Sequence, residues 1–234
     1  KDIKAWMTFS TAAGEPIYVR TAVSGVSTAG ALKNLRELDG ETFESLHRKG
    51  VEKWNKELNK FQVTASQADK ETFYTSVYHA FLHPFIFQDA DGRFRGLDKN
   101  IEKAKGFTNL TTFSLWDTYR NVHQLLTLVY PERQLDMVRS MIGMYEEWGW
   151  MPKWELYGRE TFTMEGDPAI PVIVDTWMKG LRDFDVATAY EAFLKSATTP
   201  GAQNPLRPDI DPYVERGYIP LGFYAQDLAG DVSV

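Results

Sequence analysis

Apolar residues recur at helical spacing through most of this chain, and proline and glycine cut the pattern at a few positions. That punctuation constrains the fold more than any other feature. Leu32, Leu35 and Leu38 mark a short helix, and Asp39 or Thr42 is placed to cap a longer one reaching about Phe61, with Phe43, Leu46, Val51, Trp54 and Leu58 on its apolar side. Gln67 to Leu82 predicts a third helix, stopped by Pro84. Leu115, Tyr119, Val122, Leu125, Leu126 and Val129 form one stripe, which predicts a helix from Thr111 or Thr112 to the residue before Pro131. Pro131 opens the next helix, backed by Leu135, Val138, Met141, Ile142 and Tyr145 and ended by Gly149. Ile170 to Leu181, Asp183 to Lys195 and a short piece from Asp211 to Arg216 complete the series, with a Pro/Gly-rich loop from Thr198 to Pro208 and a tail. Helical hairpins alternating with long loops predict a mainly α fold, a partial (α/α)6 toroid whose loops gather at one end and collect polar groups from several helix starts.

Two regions depart from that period. Residues 3–28 are rich in β-branched and aromatic residues around the turn Ala13-Gly14-Glu15-Pro16 and read as a short N-terminal β-hairpin. Two strands alone are marginally stable, so the hairpin is expected to belong to a larger sheet or to pack on the helices. Between Pro84 and Leu110 lies a long irregular stretch of the kind that is functional or mobile. Its Asp89-Ala90-Asp91-Gly92 carries half of a calcium-loop signature without the later oxygen ligands, and a β-turn presenting Arg93 and Arg95 to a substrate is the preferred reading.

Composition removes several classes of function. A net charge of -6 with no cluster of Lys and Arg argues against general nucleic-acid binding. No apolar run approaches the roughly 20 residues that cross a bilayer, and Lys1-Asp2 does not open a secretory signal. Cysteine is absent, which excludes disulfides, thiolate catalysis and Cys-ligated zinc. Of the histidines, His47, His79, His83 and His123, only His79 and His83 stand at the i, i+4 spacing that two metal ligands share, and packing near a helix end is the preferred reading for them.

The segment Phe113 to Ala169 combines helical periodicity with indoles and carboxylates around loops, as a sugar pocket on helix ends requires. Asp117 lies in an apolar-periodic stretch, so either Arg120 neutralises it at i+3 or it accepts sugar hydroxyls in a wet pocket beside Trp116. Trp150 and Trp154 offer further stacking surfaces. Glu155, Glu160, Glu165 and Asp167 are interrupted by Trp154, Tyr157 and Phe162 and read as a glycoside-binding rim, or alternatively as loop acids without chemistry. Hydrolysis needs two carboxylates across the bond, about 5 Å apart for retention or roughly 6.5–9.5 Å for inversion.

The runs YHAFLHPFIFQDADGRFRGLD, SLWDTYR, the PER helix start, GWMPKW, GRET and MEGDPA, in that order, resemble glycoside hydrolase family 92, the calcium-dependent exo-α-mannosidases. The likeness runs from about residue 40 onward. It implies a β-sandwich followed by an (α/α)6 catalytic barrel that removes terminal α-linked mannose, with α-1,2 linkage expected, by inversion. It divides the chain into residues 1–28 as terminal strands of the sandwich, 29–66 as linker helices and 67–234 as the N-terminal half of the barrel. Trp116, Asp117 and Glu160, with Asp167 as a further candidate, would line the mannose subsite and bind substrate. The family's general acid and base, with most of its calcium ligands, belong to a Gly-Asn-Glu-Pro stretch and an acidic stretch that do not occur here. Both catalytic groups are therefore expected beyond Val234, and no metal ligand is assigned to this segment. The chain is expected to be a fragment, inactive alone, whose partners are mannose-containing glycans and the remainder of its own polypeptide. A homogeneous 26.8 kDa monomer would count against that need for a missing half. The resemblance also implies a periplasmic or extracellular location. The alternatives are a non-catalytic carbohydrate-binding helical module and a different (α/α)6-barrel glycosidase such as a glucosidase or trehalase.

Overall fold

Local capping signals decide where the first helices start in the computed structural model, which describes residues 4–221. Ser27 caps α1 (Thr28–Leu35) by accepting the Gly30 N–H at 3.0 Å, and a 3-10 turn over Arg36–Leu38 follows. Thr42 and Ser45 form a reciprocal capping box at the start of α2 (Phe43–Leu58), each side chain accepting the other's backbone N–H. Ser66 caps α3 (Gln67–Ala80). Aromatic rings seal these two helices together: Trp54 lies 4.5 Å from Tyr78, and Phe61 contacts both Phe73 and Phe81.

The stretch that reads as irregular in the sequence is built from short antiparallel ladders. β1 (Phe85–Ile86) pairs with β4 (Leu110–Thr111), and β2 (Arg93–Arg95) with β3 (Ile101–Lys103). The expected helix from Thr111 does not form. Residues 113–114 make β5 (Phe113–Ser114), followed by a single turn α4 (Leu115–Thr118) and only then by α5 (Val122–Val129). Asn121, with φ -156°, separates the two helical pieces. The stripe over 115–129 has the right faces, but strand pairing of the residues before it outcompetes helical propensity.

Pro131 opens α6 (Pro131–Trp148), and Gly149 closes it at φ 89°, a left-handed cap that a side chain would strain. β6 (Trp154–Glu155) pairs back on β5. Then come α7 (Ala169–Met178), α8 (Val186–Thr198, capped by Asp185), a 3-10 turn at Gly201–Gln203 and α9 (Ile210–Arg216). α6 is the central helix of the core. Its Met137, Val138, Met141, Ile142, Met144 and Tyr145 pack with Leu126 of α5, Val172 and Ile173 of α7, Ala189 and Ala192 of α8, and Leu110, Phe113 and Leu115. The fold is mainly α, an open arrangement of helical hairpins without a closed barrel among the described residues. Large apolar side chains stay exposed on α7, α8 and α9: Met178 is 67% exposed, Tyr190 61% and Val214 70%.

Residues 4–27 run extended with a turn at Gly14, closed by the Glu15 N–H on the Ala12 carbonyl at 3.1 Å, but no ladder joins the two arms. Their side chains, Trp6, Met7, Phe9 and Val23 among them, are exposed, as expected of strands without a sheet to cover. What fixes the segment is side-chain bonding. Arg20 donates to the carbonyls of Leu38 and Glu41, and the buried Asp89 accepts from Ser24 at 2.7 Å and Asn34 at 2.9 Å. A Cβ on Gly30 would come within 2.2 Å of the Asp89 carboxylate, so glycine is what lets α1 dock there. Lys1 to Ile3 and the tail from residue 222 to Val234 fall outside the described residues. The expectation that the general acid and base follow Val234 lies outside them too.

Candidate functional site

The β5–β6 ladder sets the geometry of the Phe113 to Ala169 segment. Phe113 faces Glu155 and Ser114 faces Trp154. Alternation turns Phe113 and Glu155 inward, both fully buried, and leaves Ser114 and Trp154 half-buried on the other face. Leu115 plugs the core, and the chain then turns out so that Trp116 is half-buried and Asp117 exposed. Ser114 Oγ donates to Asp117 Oδ2 at 2.6 Å. Arg120 does not neutralise Asp117; its guanidinium lies over the Trp116 ring at 4.3 Å.

On the other side of the ladder, Glu160 is drawn into its own loop. Its carboxylate accepts the backbone N–H groups of Lys153, Trp154, Thr161 and Phe162 at 2.8–2.9 Å, three on Oε1 and one on Oε2. Glu155, expected on a rim, is instead completely buried. It accepts from Thr111 Oγ1, Thr112 N and Gly158 N, while burial pushes its pKa up against those bonds. Trp116, Asp117 and Glu160 are therefore brought to one ladder. Asp167 points elsewhere, accepting from Ser196 Oγ of α8 through Oδ2 while Oδ1 is buried with no hydrogen-bond partner. Burial raises its pKa, and the Ser196 bond with the Arg207 and Lys153 charges opposes the rise.

Backbone strain collects at the same place. The non-glycine residues with positive φ among those described are Lys99, Thr112, Tyr157, Phe162 and Met164. Thr112 donates its N–H to Glu155, three of the others lie in the loop carrying Glu160, and Lys99 Nζ donates to Gly158 O. Such conformations cost about 1–3 kcal/mol each and persist where the surroundings over-determine them, often at ligand sites. The sequence carries no alternation that would reveal this ladder: Leu110 and Phe113 stand three apart, a spacing that merges with the longer helical stripe.

Other expectations resolve into structural roles. Asp89 to Gly92 is a β-turn closed by Gly92 N on Asp89 O at 2.8 Å. The Arg93 guanidinium, joined by Lys33, binds Asp91 and holds its carboxyl well below the usual range. Arg93 and Arg95 are thus spent inside the protein, Arg95 on the carbonyls of Gly25 and Lys99. His79 sits exposed in the last turn of α3, whereas His83 lies beyond the helix end with its ring against Phe85. Among the described residues no three His, Cys, Asp or Glu side chains group closely enough to hold a metal ion. Trp150 lies under Lys195 Nζ at 4.7 Å, and Trp148 packs against Phe162.

Two cavities lie away from the ladder. One of about 510 Å³ is lined by Trp54, Phe81, Tyr130 and Arg133, and another of about 600 Å³ by Phe94, Asp98, Phe107 and Glu147. Burial first, then the neighbouring Asp98, Glu102 and Glu155, raise the Glu147 carboxyl to about 7 despite the Leu97 N–H bond. No helix among the described residues is long and apolar enough to cross a membrane.

The chain is similar to known proteins in sequence and in fold. The model of the glycosyl hydrolase family 92 catalytic domain matches residues 30–233. The family GH92 alpha-mannosidase BT3965 from Bacteroides thetaiotaomicron, whose structure is known with and without mannoimidazole, is 50% identical with a TM-score of 0.79, over 84% of this chain and 26% of that one. The family GH92 inverting mannosidase BT2199 from Bacteroides thetaiotaomicron VPI-5482 is 29% identical with a TM-score of 0.78, over 85% and 28%. The family glycosyl hydrolase ccman5, at 24% identity and a TM-score of 0.63 over 76% and 26%, shares the fold. No curated protein matches the chain. The chain thus spans about a quarter of the length of these solved relatives. Its sequence and its hairpin architecture agree that it belongs to glycosyl hydrolase family 92, as a part of the catalytic domain.

Proposed function

We propose that this chain forms one wall of the mannose subsite in an exo-α-mannosidase that acts with inversion on terminal, α-1,2-linked mannose. The observation that carries the reading is the clamped Trp116–Asp117 turn. One Asp117 oxygen is fixed by Ser114, and the other has no hydrogen bond from the described residues, open to a sugar hydroxyl. Trp116 offers a ring for the apolar face of a pyranose, and Glu160 Oε2, carrying a single N–H, keeps a lone pair for a second hydroxyl. Asp167 supports the wall from behind through α8 rather than from the rim. The similarity to an inverting mannosidase and to one solved with mannoimidazole supports both substrate and stereochemistry.

In this reading residues 1–28 are sandwich strands, 29–66 linker helices and 67–234 half of the barrel. The general acid and base, placed beyond Val234, and the calcium come from the remainder of a full-length catalytic unit, and the enzyme works in the periplasm or outside the cell. Calorimetry with mannose and α-1,2-mannobiose tests the wall. Binding weakened about ten-fold by Trp116→Ala or Asp117→Asn is expected, the loss of about 1.4 kcal/mol that one stacking ring or charged hydrogen bond contributes. No heat at millimolar sugar, or unchanged binding in both variants, would sink it. Hydrolysis by the 234-residue chain, abolished by Glu160→Gln, would instead make Glu160 catalytic.

A further inference from the structure

The turn proposed to meet the sugar is only one helical turn long, and a single turn does not hold itself. Its N-terminal end is fixed by Leu115 in the core and by the Ser114–Asp117 bond. Its C-terminal end meets a buried polar chain that no sugar contact explains. Thr118 Oγ1 lies 2.9 Å from His123 Nε2, and His123 Nδ1 lies 3.0 Å from Gln134 Oε1. Gln134 Nε2 donates to Thr176 Oγ1 at 2.9 Å, and Thr176 passes its own proton to the Val172 carbonyl at 2.7 Å. His123, Gln134 and Thr176 are all fully buried.

Each link has one possible direction. The Thr176 proton is committed to Val172, so Thr176 must accept from the Gln134 amide. That turns the Gln134 carbonyl toward His123, which must then carry its proton on Nδ1. Nε2 is left bare and can only accept, and the Thr118 hydroxyl donates to it. The tautomer at His123 is thereby set from α7, through α6, and read out next to Asp117.

We propose that His123 is a positioning residue for the Trp116–Asp117 turn, its bare Nε2 holding Thr118 and so fixing the orientation of the sugar-facing side chains. The relay links three core helices to the edge of the site, and it does so without touching substrate. The proposal rests on the reading of Trp116 and Asp117 as sugar-facing residues, but its central test does not need sugar. The 234-residue chain is labelled with 5-fluorotryptophan, and the Trp116 resonance is identified by its loss in Trp116→Phe. His123→Asn keeps a polar group near the Nδ1 position and loses the acceptor for Thr118; His123→Gln restores an acceptor near Nε2; Thr118→Val removes the donor.

The Trp116 fluorine signal is expected to shift by more than its linewidth or broaden in His123→Asn and Thr118→Val, and to return toward the parent position in His123→Gln. A purely structural staple predicts instead that Asn and Gln disturb all seven Trp signals alike. That result, or a Trp116 signal unchanged in Thr118→Val, overturns the proposal. Should His123→Asn fail to fold, Thr118→Val, which alters only a half-buried side chain, decides the matter. Mannose added to the parent chain separates the two ideas: relay variants that move Trp116 while mannose does not leave the relay standing and remove the sugar reading, and the reverse result keeps the sugar and removes the relay.

Discussion

At Thr112 two liabilities meet in one residue. A β-branched side chain is held at φ 69°, and its hydroxyl is buried without a hydrogen-bond partner. The residue serves the site through its backbone N–H to Glu155, which glycine would keep. Thr112→Gly is therefore expected to leave the fold no less stable, with a gain of up to about 1 kcal/mol in urea unfolding, since relief of left-handed strain offsets the entropy of an added glycine. Loss of more than about 1 kcal/mol would mean that the Thr112 side chain is needed for packing rather than strained. The carboxylates show the same dependence on surroundings. Glu155 and Glu160 look equivalent in sequence, but one is a buried anchor for Thr111 and Gly158, and the other is half-buried with four backbone donors.

Among the elements, those with strong local signals are legible from sequence. Thr42 caps α2, Pro131 opens α6 and Gly149 ends it, because each choice is made by groups a few residues apart. Thr42→Ala, which removes one half of the capping box, is expected to cost about 1 kcal/mol of stability and to fray the first turn of α2. Amide exchange at Ser45 faster by about five-fold checks it, and unchanged exchange would show that the Trp54–Tyr78 contact alone holds the helix. The short ladders are not legible, since each strand of two or three residues is stabilised by a partner elsewhere in the chain, as Phe85 is by Thr111 and Phe113 by Glu155. The expected N-terminal hairpin has its turn and its extended arms but no ladder, because strand pairing depends on neighbours in a sheet and not on the arms alone.

Across the whole molecule, the fully buried His123 and the half-buried Glu147 pull the stability in opposite directions with pH. Burial lowers the His123 pKa from 6.5 to about 4, against the Gln134 bond and the Asp175 charge. The unfolded chain then binds that proton first, so stability falls as pH drops from 6.5 toward 4, by about 3 kcal/mol in all. Glu147 behaves oppositely: with its pKa raised from 4.5 to about 7, its contribution is greatest below 4.5 and is lost as pH rises through 7. Glu155 and Asp167, both raised by burial, act in the same sense as Glu147. Urea denaturation from about pH 4.5 to 8 is expected to show an acid limb that flattens in His123→Gln and a high-pH limb that flattens in Glu147→Gln. Limbs unchanged in the respective variants would assign the pH dependence to other groups.

Sequence alone determined the mainly helical fold, the Pro131 start and Gly149 end of α6, the exclusion of disulfide and thiolate chemistry, and the family, through motifs that each occupy a few consecutive residues. Those properties are local, so the order of side chains is enough to state them. Tertiary structure decided what the same residues do: that Arg120 lies over one face of the Trp116 ring instead of pairing with Asp117, that Asp167 turns back to α8, that Glu155 is buried, and that His123 ends a one-directional chain at Thr118. Each depends on contacts between side chains brought together from different elements, and burial and hydrogen bonding at such contacts set both orientation and charge state.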